Sequence, residues 1–354
     1  MYRMICATAA LLVAAAAQPA TADDVSTCVY GSIYGRGDEA IAACTRMLAL
    51  RPNDPSSYAN RGMAYYSKGD YEQAIADLDQ AIRLDPNFAD AYQGRGKVHY
   101  RKGDYERAIA DYDQAIRLDP SSAAYNNRSV VYSRKGDYDR AIADLDQAIR
   151  LDPKNAVAYN ERGYAYNSKR DYDRAISDYD QAIRLNPKFA KAYAERGNAY
   201  SYKGDYERAI SDYDQAIRLN PRWPVAYLLR AMAYKDKGEY DRNIADLDQA
   251  IELDPKFAPA YNSRGDSYIH KGDYDRAIAE ASEAIRLDPK FAVAYVTRGE
   301  AYESKNDPDH AIADFDQALK LDPSRAAARR GRERVQAQLA KRSNPGAETS
   351  APAR

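Results

Sequence analysis

The 354-residue chain balances 52 lysines and arginines against 53 aspartates and glutamates, and this formal charge of −1 provides no net field to draw in nucleic acid or an anionic membrane. Three cysteines and three histidines leave little material for a metal centre or a nucleophilic dyad. By contrast, 32 tyrosines against 5 phenylalanines and 1 tryptophan indicate a pattern that uses tyrosine repeatedly.

Residues 1–22 read as a secretory signal peptide. Arg3 is their only charge, Ile5 to Ala17 is an apolar run, and Ala20-Thr21-Ala22 ends the segment with small residues. That run is shorter than the roughly 20 residues that span a bilayer. No other stretch is continuously apolar, so no integral membrane segment is expected after cleavage. Cleavage after Ala22 would take the formal charge from −1 to −2 by removing Arg3, and would leave Cys28 and Cys44 as the remaining cysteines. The address is the periplasm or the extracellular space.

A fixed period then dominates the chain. Tyr71, Tyr105, Tyr138, Tyr172, Tyr206, Tyr240 and Tyr274 recur every 34 residues, with one interval of 33, and Pro308 takes the eighth place. Written from Pro55, the unit reads Tyr58-x2-Arg61-Gly62-x2-Tyr65, Gly69-Asp70-Tyr71, Ala74-x3-Leu78, Ala81, Leu84 and Pro86. Positions 4, 8 and 11 share one face of a first helix, A, and positions 17, 20, 24 and 27 one face of a second, B. Gly69 suits a left-handed cap, Asp70 an N-cap, and Pro86 a helix stop. Gly62, Ala74 and Ala81 are small where helices must approach, and tyrosines are expected to fill the remaining space with their hydroxyls near water.

This unit resembles the tetratricopeptide repeat, whose pattern is W-x2-L-G-x2-Y, A-x3-F and P. The resemblance implies an all-α, right-handed superhelical solenoid of stacked helix-turn-helix repeats. A degenerate repeat at 23–54 precedes eight units over 55–325. Ser324 is placed to cap a last helix, 326–341, that shields the end of the stack through Ala328, Val335 and Leu339. Residues 342–354 form a tail of disordered composition. Cys28 and Cys44 fall at positions 8 and 24 of the degenerate repeat, on adjacent helices, where a disulfide could staple it after export.

The chain departs from the family at position 7, usually Leu, which is Arg in all eight units, and position 23 is acidic in all eight. An uncompensated buried charge costs several kcal/mol. A ladder of Arg61 to Asp77, Arg95 to Asp111, Arg162 to Asp178 and their equivalents is therefore expected. Asp79 and Arg83, four apart on helix B, read as a surface pair.

No motif carries convincing enzyme chemistry. Gly35 to Ala40 fits G-x-G-x-x-A, but between two helices rather than after a strand. Arg36-Gly37-Asp38 and Arg264-Gly265-Asp266 follow from repeat grammar. His99 replaces a core tyrosine, while His270 and His310 belong to distant repeats, so no metal site and no cofactor is expected. The chain is read as non-enzymatic.

The family's concave surface, lined by helices A, holds peptides. The carboxylate clamp of its chaperone-binding members does not carry over: Asn127 supplies the middle residue, but Gln93, Lys97, Val157 and Glu161 stand at the flanking places. What remains is a graded groove. Tyr66, Lys97, Tyr100, Arg101 and Arg134 are aromatic and basic, Asn127, Asn160, Tyr164, Asn167 and Tyr202 lie between, and Glu195, Asp236, Asp266, Glu300 and Glu303 are acidic. Asparagines can bond both edges of an extended peptide, and tyrosines can cover side chains or stack on sugars. From Arg325 to Arg342, seven basic residues face one acidic, Glu333, which suggests a further docking strip for an acidic partner. The reading is an exported scaffold for a protein or peptide partner in the cell envelope, with no nucleic acid partner. The alternative is a carbohydrate-binding or polysaccharide-assembly subunit.

Overall fold

The computed structural model describes residues 22–30 and 35–343. The expected leader, apart from Ala22, and the expected tail from residue 344 onward lie outside the described residues. Among the described residues every regular element is helical, and no helix is long and apolar enough to cross a membrane.

The chain divides into two compact units, Met1–Ala165 and Tyr166–Arg354. The first contains the hairpins α1 (Ala22–Tyr30) with α2 (Gly37–Leu50), α3 (Pro55–Lys68) with α4 (Tyr71–Leu84), α5 (Ala89–Arg101) with α6 (Tyr105–Leu118), and α7 (Ser122–Arg134) with α8 (Tyr138–Leu151). The division falls inside α9 (Ala156–Ser168). The second unit continues with α10 (Tyr172–Leu185), the hairpins α11 (Ala190–Tyr202) with α12 (Tyr206–Leu219), α13 (Pro224–Asp236) with α14 (Tyr240–Leu253), α15 (Ala258–His270) with α16 (Tyr274–Leu287), and α17 (Ala292–Ser304) with α18 (Pro308–Leu321). It ends with α19 (Ala326–Ser343). In each unit a helix packs against its hairpin partner and then against the first helix of the following hairpin, so both units are all-α stacks of helical hairpins.

Local chemistry sets the hairpin. Gly69, at φ 82°, closes α3, and its equivalents hold the same left-handed conformation, with Arg170 and Asn306 standing in where glycine is absent. Asp70 then caps α4 by accepting from the Gln73 amide at 3.3 Å, and Asp104, Asp137, Asp171, Asp205, Asp273 and Asp307 act alike. At the far end the Asp85 carboxylate accepts from the Asn87 amide at 2.9 Å, tightening the turn around Pro86.

Packing explains the small residues. A Cβ on Gly62 would lie 2.9 Å from Leu78 Cγ, and one on Gly197 2.7 Å from Tyr213 Cε1. Position 24 is thus the plug of the hairpins, except where it is Ala281. Leu78, Tyr112, Leu145, Tyr179, Tyr213, Leu247 and Phe315 are buried there, each contributing about 1.5–3 kcal/mol by leaving water. The tyrosines do not all keep their hydroxyls near water as expected. Tyr112 and Tyr213 are 2% and 1% exposed, and burial pushes both phenols up. Tyr213 offsets that desolvation by donating to Asn198 Oδ1 at 2.8 Å.

The charged ladder is present and is double. In the seven repeats whose position 7 and position 23 residues share a unit, the arginine donates to the acid of its own hairpin, as in Arg61 to Asp77 at 2.7 Å and Arg264 to Glu280 at 2.8 Å. Each arginine also reaches back to position 25 of the preceding hairpin. Arg95 meets Asp79 at 2.6 Å, Arg162 meets Asp146 at 2.6 Å, and where aspartate is missing Arg61 meets Thr45 at 3.2 Å and Arg298 meets Ser282 at 3.1 Å. The expected Asp79 to Arg83 pair is therefore replaced: Asp79 serves Arg95, and Arg83 donates to Gln80. A further row of pairs, Lys68 with Asp38, Lys102 with Glu72, Lys135 with Glu106, Lys203 with Asp173, Lys271 with Asp241 and Lys305 with Asp275, links successive hairpins at their turns.

The ends differ from the middle. Cys28 and Cys44 are buried with Ala43 and Met47 between α1 and α2, their Cα atoms 4.8 Å apart. Asp24 on α1 pairs with Arg46 on α2. At the other end, Ala328, Val335 and Leu339 of α19 cover Phe315, and Arg332 repeats the ladder by meeting Asp316 at 2.9 Å. Ser324 does not cap α19; its hydroxyl turns instead to Asp322 at 2.6 Å.

Candidate peptide-binding face

The residues singled out in the sequence lie on the A helices. In the first unit, α3 carries Tyr66, α5 carries Lys97, Tyr100 and Arg101, α7 carries Asn127 and Arg134, and the first part of α9 carries Asn160 and Tyr164. Positions 12 and 13 of successive A helices meet. Arg101 donates Nε to the Tyr66 hydroxyl at 3.1 Å, and Arg134 donates Nε to the Tyr100 hydroxyl at 3.1 Å. The rings are braced from below, Tyr66 lying 6.1 Å from Tyr71 and Tyr100 6.0 Å from Tyr105. Each hydroxyl in turn raises the affinity of its arginine for the proton, as a hydrogen-bond acceptor should. Tyr164 adds to the field at Arg134.

Lys97 stands apart from this row. It is half-buried and makes no ion pair among the described residues; Lys154, Lys188, Arg218 and Lys320 likewise make none there, but they are exposed. Asn127 is half-buried, whereas Asn160 is 0% exposed. That corrects the expectation that Asn160 reads a peptide: its amide donates to the Glu161 carboxylate at 3.2 Å inside the packing.

Asn167 and Tyr202 belong to the second unit. Asn167 is half-buried, and Tyr202 is 67% exposed while stacked on Tyr172 at 5.6 Å. The acidic residues of this unit are partly spoken for. Glu195 accepts from Asn198, Asp266 accepts from Lys235 at 2.7 Å, and Glu303 accepts two bonds from Arg334 at 3.0 and 2.8 Å. Glu300 has no ion pair among the described residues. Burial, with Asp266 and Glu303 nearby, holds its carboxyl above the ordinary glutamate range.

The basic strip of α19 is narrower than the sequence suggested. Arg325 pairs with Asp322, Arg332 with Asp316 and Arg334 with Glu303, while Arg329 donates to the Pro323 carbonyl and Arg342 to Asn306. The sequence reading also passed over the partners of Arg at position 7 in the preceding hairpin and the apolar face of α13. Aligning the units would have shown both, because position 25 is aspartate in all of the eight except that of Ser282, and α13 alone lacks polar residues at positions 2, 5, 6 and 9.

Sequence profiles described as "Tetratricopeptide repeat" match residues 43–76, 89–122, 128–193, 190–222, 228–292 and 292–325, and one described as "TPR repeat" matches 62–103. None of the curated proteins compared matches the chain. Among solved structures, a tetratricopeptide repeat protein from Parabacteroides merdae is 23% identical over 70% of this chain and 98% of its own, with a TM-score of 0.59. Yeast Tom70 is 16% identical over 91% and 97%, with a TM-score of 0.53, and Pseudomonas aeruginosa pilF 21% identical over 58% and 94%, with a TM-score of 0.52. At these identities the likeness is one of fold. Proteins of this fold are in general non-catalytic scaffolds that bind protein or peptide partners. The chain belongs to the tetratricopeptide repeat family.

Proposed function

We propose that this protein is an exported, non-enzymatic scaffold that holds an extended peptide, or a segment of a partner, along the A-helix face of its first unit. The observation that carries this reading is Lys97, half-buried and without an ion pair among the described residues, on the same helix as Tyr100 and Arg101 of the Tyr66 to Arg101 and Tyr100 to Arg134 steps. Together they offer fixed aromatic edges and cationic donors to backbone carbonyls and carboxylates of a bound chain. Export rests on the leader pattern of residues 1–22, whose removal would take only Ala22, the first residue, from α1. In an oxidising compartment Cys28 and Cys44 would be bridged, since their Cα spacing of 4.8 Å lies within the range a disulfide spans.

The test compares the wild-type chain with a Lys97→Glu, Tyr100→Ala, Arg101→Glu variant as baits against the native envelope fraction, with partners identified by mass spectrometry. A protein retained by the wild type and lost from the variant supports the reading. Identical recoveries would refute it. The glycan alternative draws on Tyr202, exposed and stacked on Tyr172. It requires binding that Tyr202→Ala abolishes and that salt barely weakens, whereas the peptide reading requires weakening by salt.

A further inference from the structure

The face of the second unit carries a different chemistry from that of the first. On α13, positions 2, 5, 6 and 9 are Val225, Leu228, Leu229 and Met232. Leu228 and Leu229 are anchored in the core on either side, while Val225 and Met232 remain 37% and 46% exposed. Single exposed apolar residues are ordinary; what matters is the neighbour. One turn beyond Met232, Lys235 reaches to Asp266 on α15 at 2.7 Å. Helix α15 packs on α17 more extensively than it does on α13. This is the hairpin where position 24 is Ala281 instead of Leu, Tyr or Phe, so the helices above it can draw together. Asp266, Glu300 and Glu303 are gathered there.

The polar inventory of this cluster is unbalanced. Three carboxylates face two permanent cations, Lys235 and Arg334, with the His270 imidazole 3.9 Å from Asp266, and Glu300 is the one without an ion pair among the described residues. One turn before Asp266 on the same helical face, Asn262 is 8% exposed and its Oδ1 accepts no hydrogen bond. A buried carbonyl oxygen without a donor is a standing cost of about 1–3 kcal/mol. The cluster therefore lacks hydrogen-bond donors carrying positive charge. A metal ion does not answer that need, because among the described residues no three His, Cys, Asp or Glu side chains converge to hold one. An ammonium or guanidinium group does.

We propose that α13, α15 and α17 bind a peptide segment in which a lysine or arginine neighbours an apolar residue, the basic side chain entering between Asp266 and Glu300 and the apolar one seating on Met232. This rests on the reading of the protein as a peptide scaffold and names the chemistry of one occupant. Charge complementarity selects the basic residue, and the flexible thioether of Met232 accommodates apolar side chains of different shapes.

The experiment selects a phage-displayed random dodecapeptide library on the full chain and on the variants Glu300→Gln and Met232→Ser. The wild type is expected to enrich peptides with Lys or Arg beside an apolar residue. Glu300→Gln should lose the basic preference and Met232→Ser the apolar one. For one enriched peptide, Glu300→Gln should weaken Kd about ten-fold or more, replacing the peptide lysine by norleucine should do the same, and combining the two should add little. The norleucine arm leaves the protein unaltered, so it stands even if a variant folds poorly. Enriched peptides without basic residues, or fully additive losses, would overturn the proposal and leave the scaffold reading intact. No enrichment above background on the wild type would overturn both.

Discussion

Arg95 joins two repeats by sharing its guanidinium: Nη1 meets Asp79 of the preceding hairpin at 2.6 Å, while Nη2 donates to Asp111 of its own at 2.6 Å. The two partners are unequal, Asp111 being buried and Asp79 partly exposed. A buried carboxylate left alone is costly, and so is a buried guanidinium, whereas an exposed partner adds little. Asp111→Leu is therefore expected to destabilise by about 2–4 kcal/mol and Asp79→Asn by about 0.5–1 kcal/mol. Arg95→Leu, the residue usual at position 7 of the family, should recover part of the loss in the Asp111→Leu background. Chemical denaturation of the four variants checks this, and purely additive losses would show that the pair is not coupled.

The glycines at position 8 should respond according to the plug beneath them. A Cβ on Gly197 meets the Tyr213 ring at 2.7 Å, whereas one on Gly265 meets the Ala277 carbonyl oxygen at 3.2 Å and Glu280 Cβ at 3.3 Å, because Ala281 provides no ring. Overpacking costs about 1–3 kcal/mol and replacing a helical glycine by alanine returns about 0.5–1 kcal/mol. Gly197→Ala should thus lower the melting temperature, and Gly265→Ala should leave it nearly unchanged. Equal losses at the two sites would contradict the role of position 24.

His99 gives the first unit a dependence on pH. Burial holds its imidazole below the ordinary value, with Arg95 and Arg107 acting in the same direction and Asp111 and Asp104 opposing. A group whose folded pKa is depressed binds its proton more readily unfolded, so stability falls as pH drops below about 6.5, the ordinary histidine value, and the loss levels off beneath the depressed one. His99→Tyr, which restores the usual residue of position 11, should flatten that part of the curve. Thermal melts across this window decide it.

Glu300 works in the opposite sense. Its carboxyl is held above the ordinary glutamate value, so the folded state keeps the proton longer, and stability declines as pH rises from about 4.3 through the raised value. Glu300→Gln should be more stable than the wild type at neutral pH and equal to it in acid. An unchanged difference at both pH values would show that the carboxylate is already compensated.

What was legible in the sequence follows from what the period fixes. Positions 8, 15, 16, 20, 24 and 27 each have one geometric task, so the hairpins, the Asp70-type caps and the Arg61 to Asp77 contacts could be placed from spacing alone. The second arm of the ladder could not, because Asp79 and Arg83 sit one helical turn apart and local spacing favours that pair over a partner in the next hairpin. Site residues were harder still. Asn160 and Asn127 look equivalent in sequence, yet one is fully buried and the other is not, since a one-position offset turns a side chain about 100° around the helix. The spent charges of α19 were invisible for the same reason: Arg334 finds Glu303 only through the packing of two helices.

The first hairpin is where covalent chemistry should matter most. Helix α1 spans 9 residues, well short of the length at which an isolated helix holds itself in water, and it contributes one face to a buried cluster made chiefly of Cys28, Ala43, Cys44 and Met47. A bridge closing a loop of this size limits the unfolded chain by about 3 kcal/mol. That is enough to decide whether α1 stays docked, since Asp24 and Arg46 supply the hairpin's charged contact and Arg46 is one-third exposed. Hydrogen exchange on the native protein should show protected amides in α1 that become fast when a reductant is added, or in Cys28→Ser, while α3 onward keeps its protection. If α1 exchanges equally with and without reductant, the cysteines act as packed thiols and the staple does not exist. If protection is lost through α3 and beyond, the first hairpin is a nucleus on which the rest depends rather than a cap.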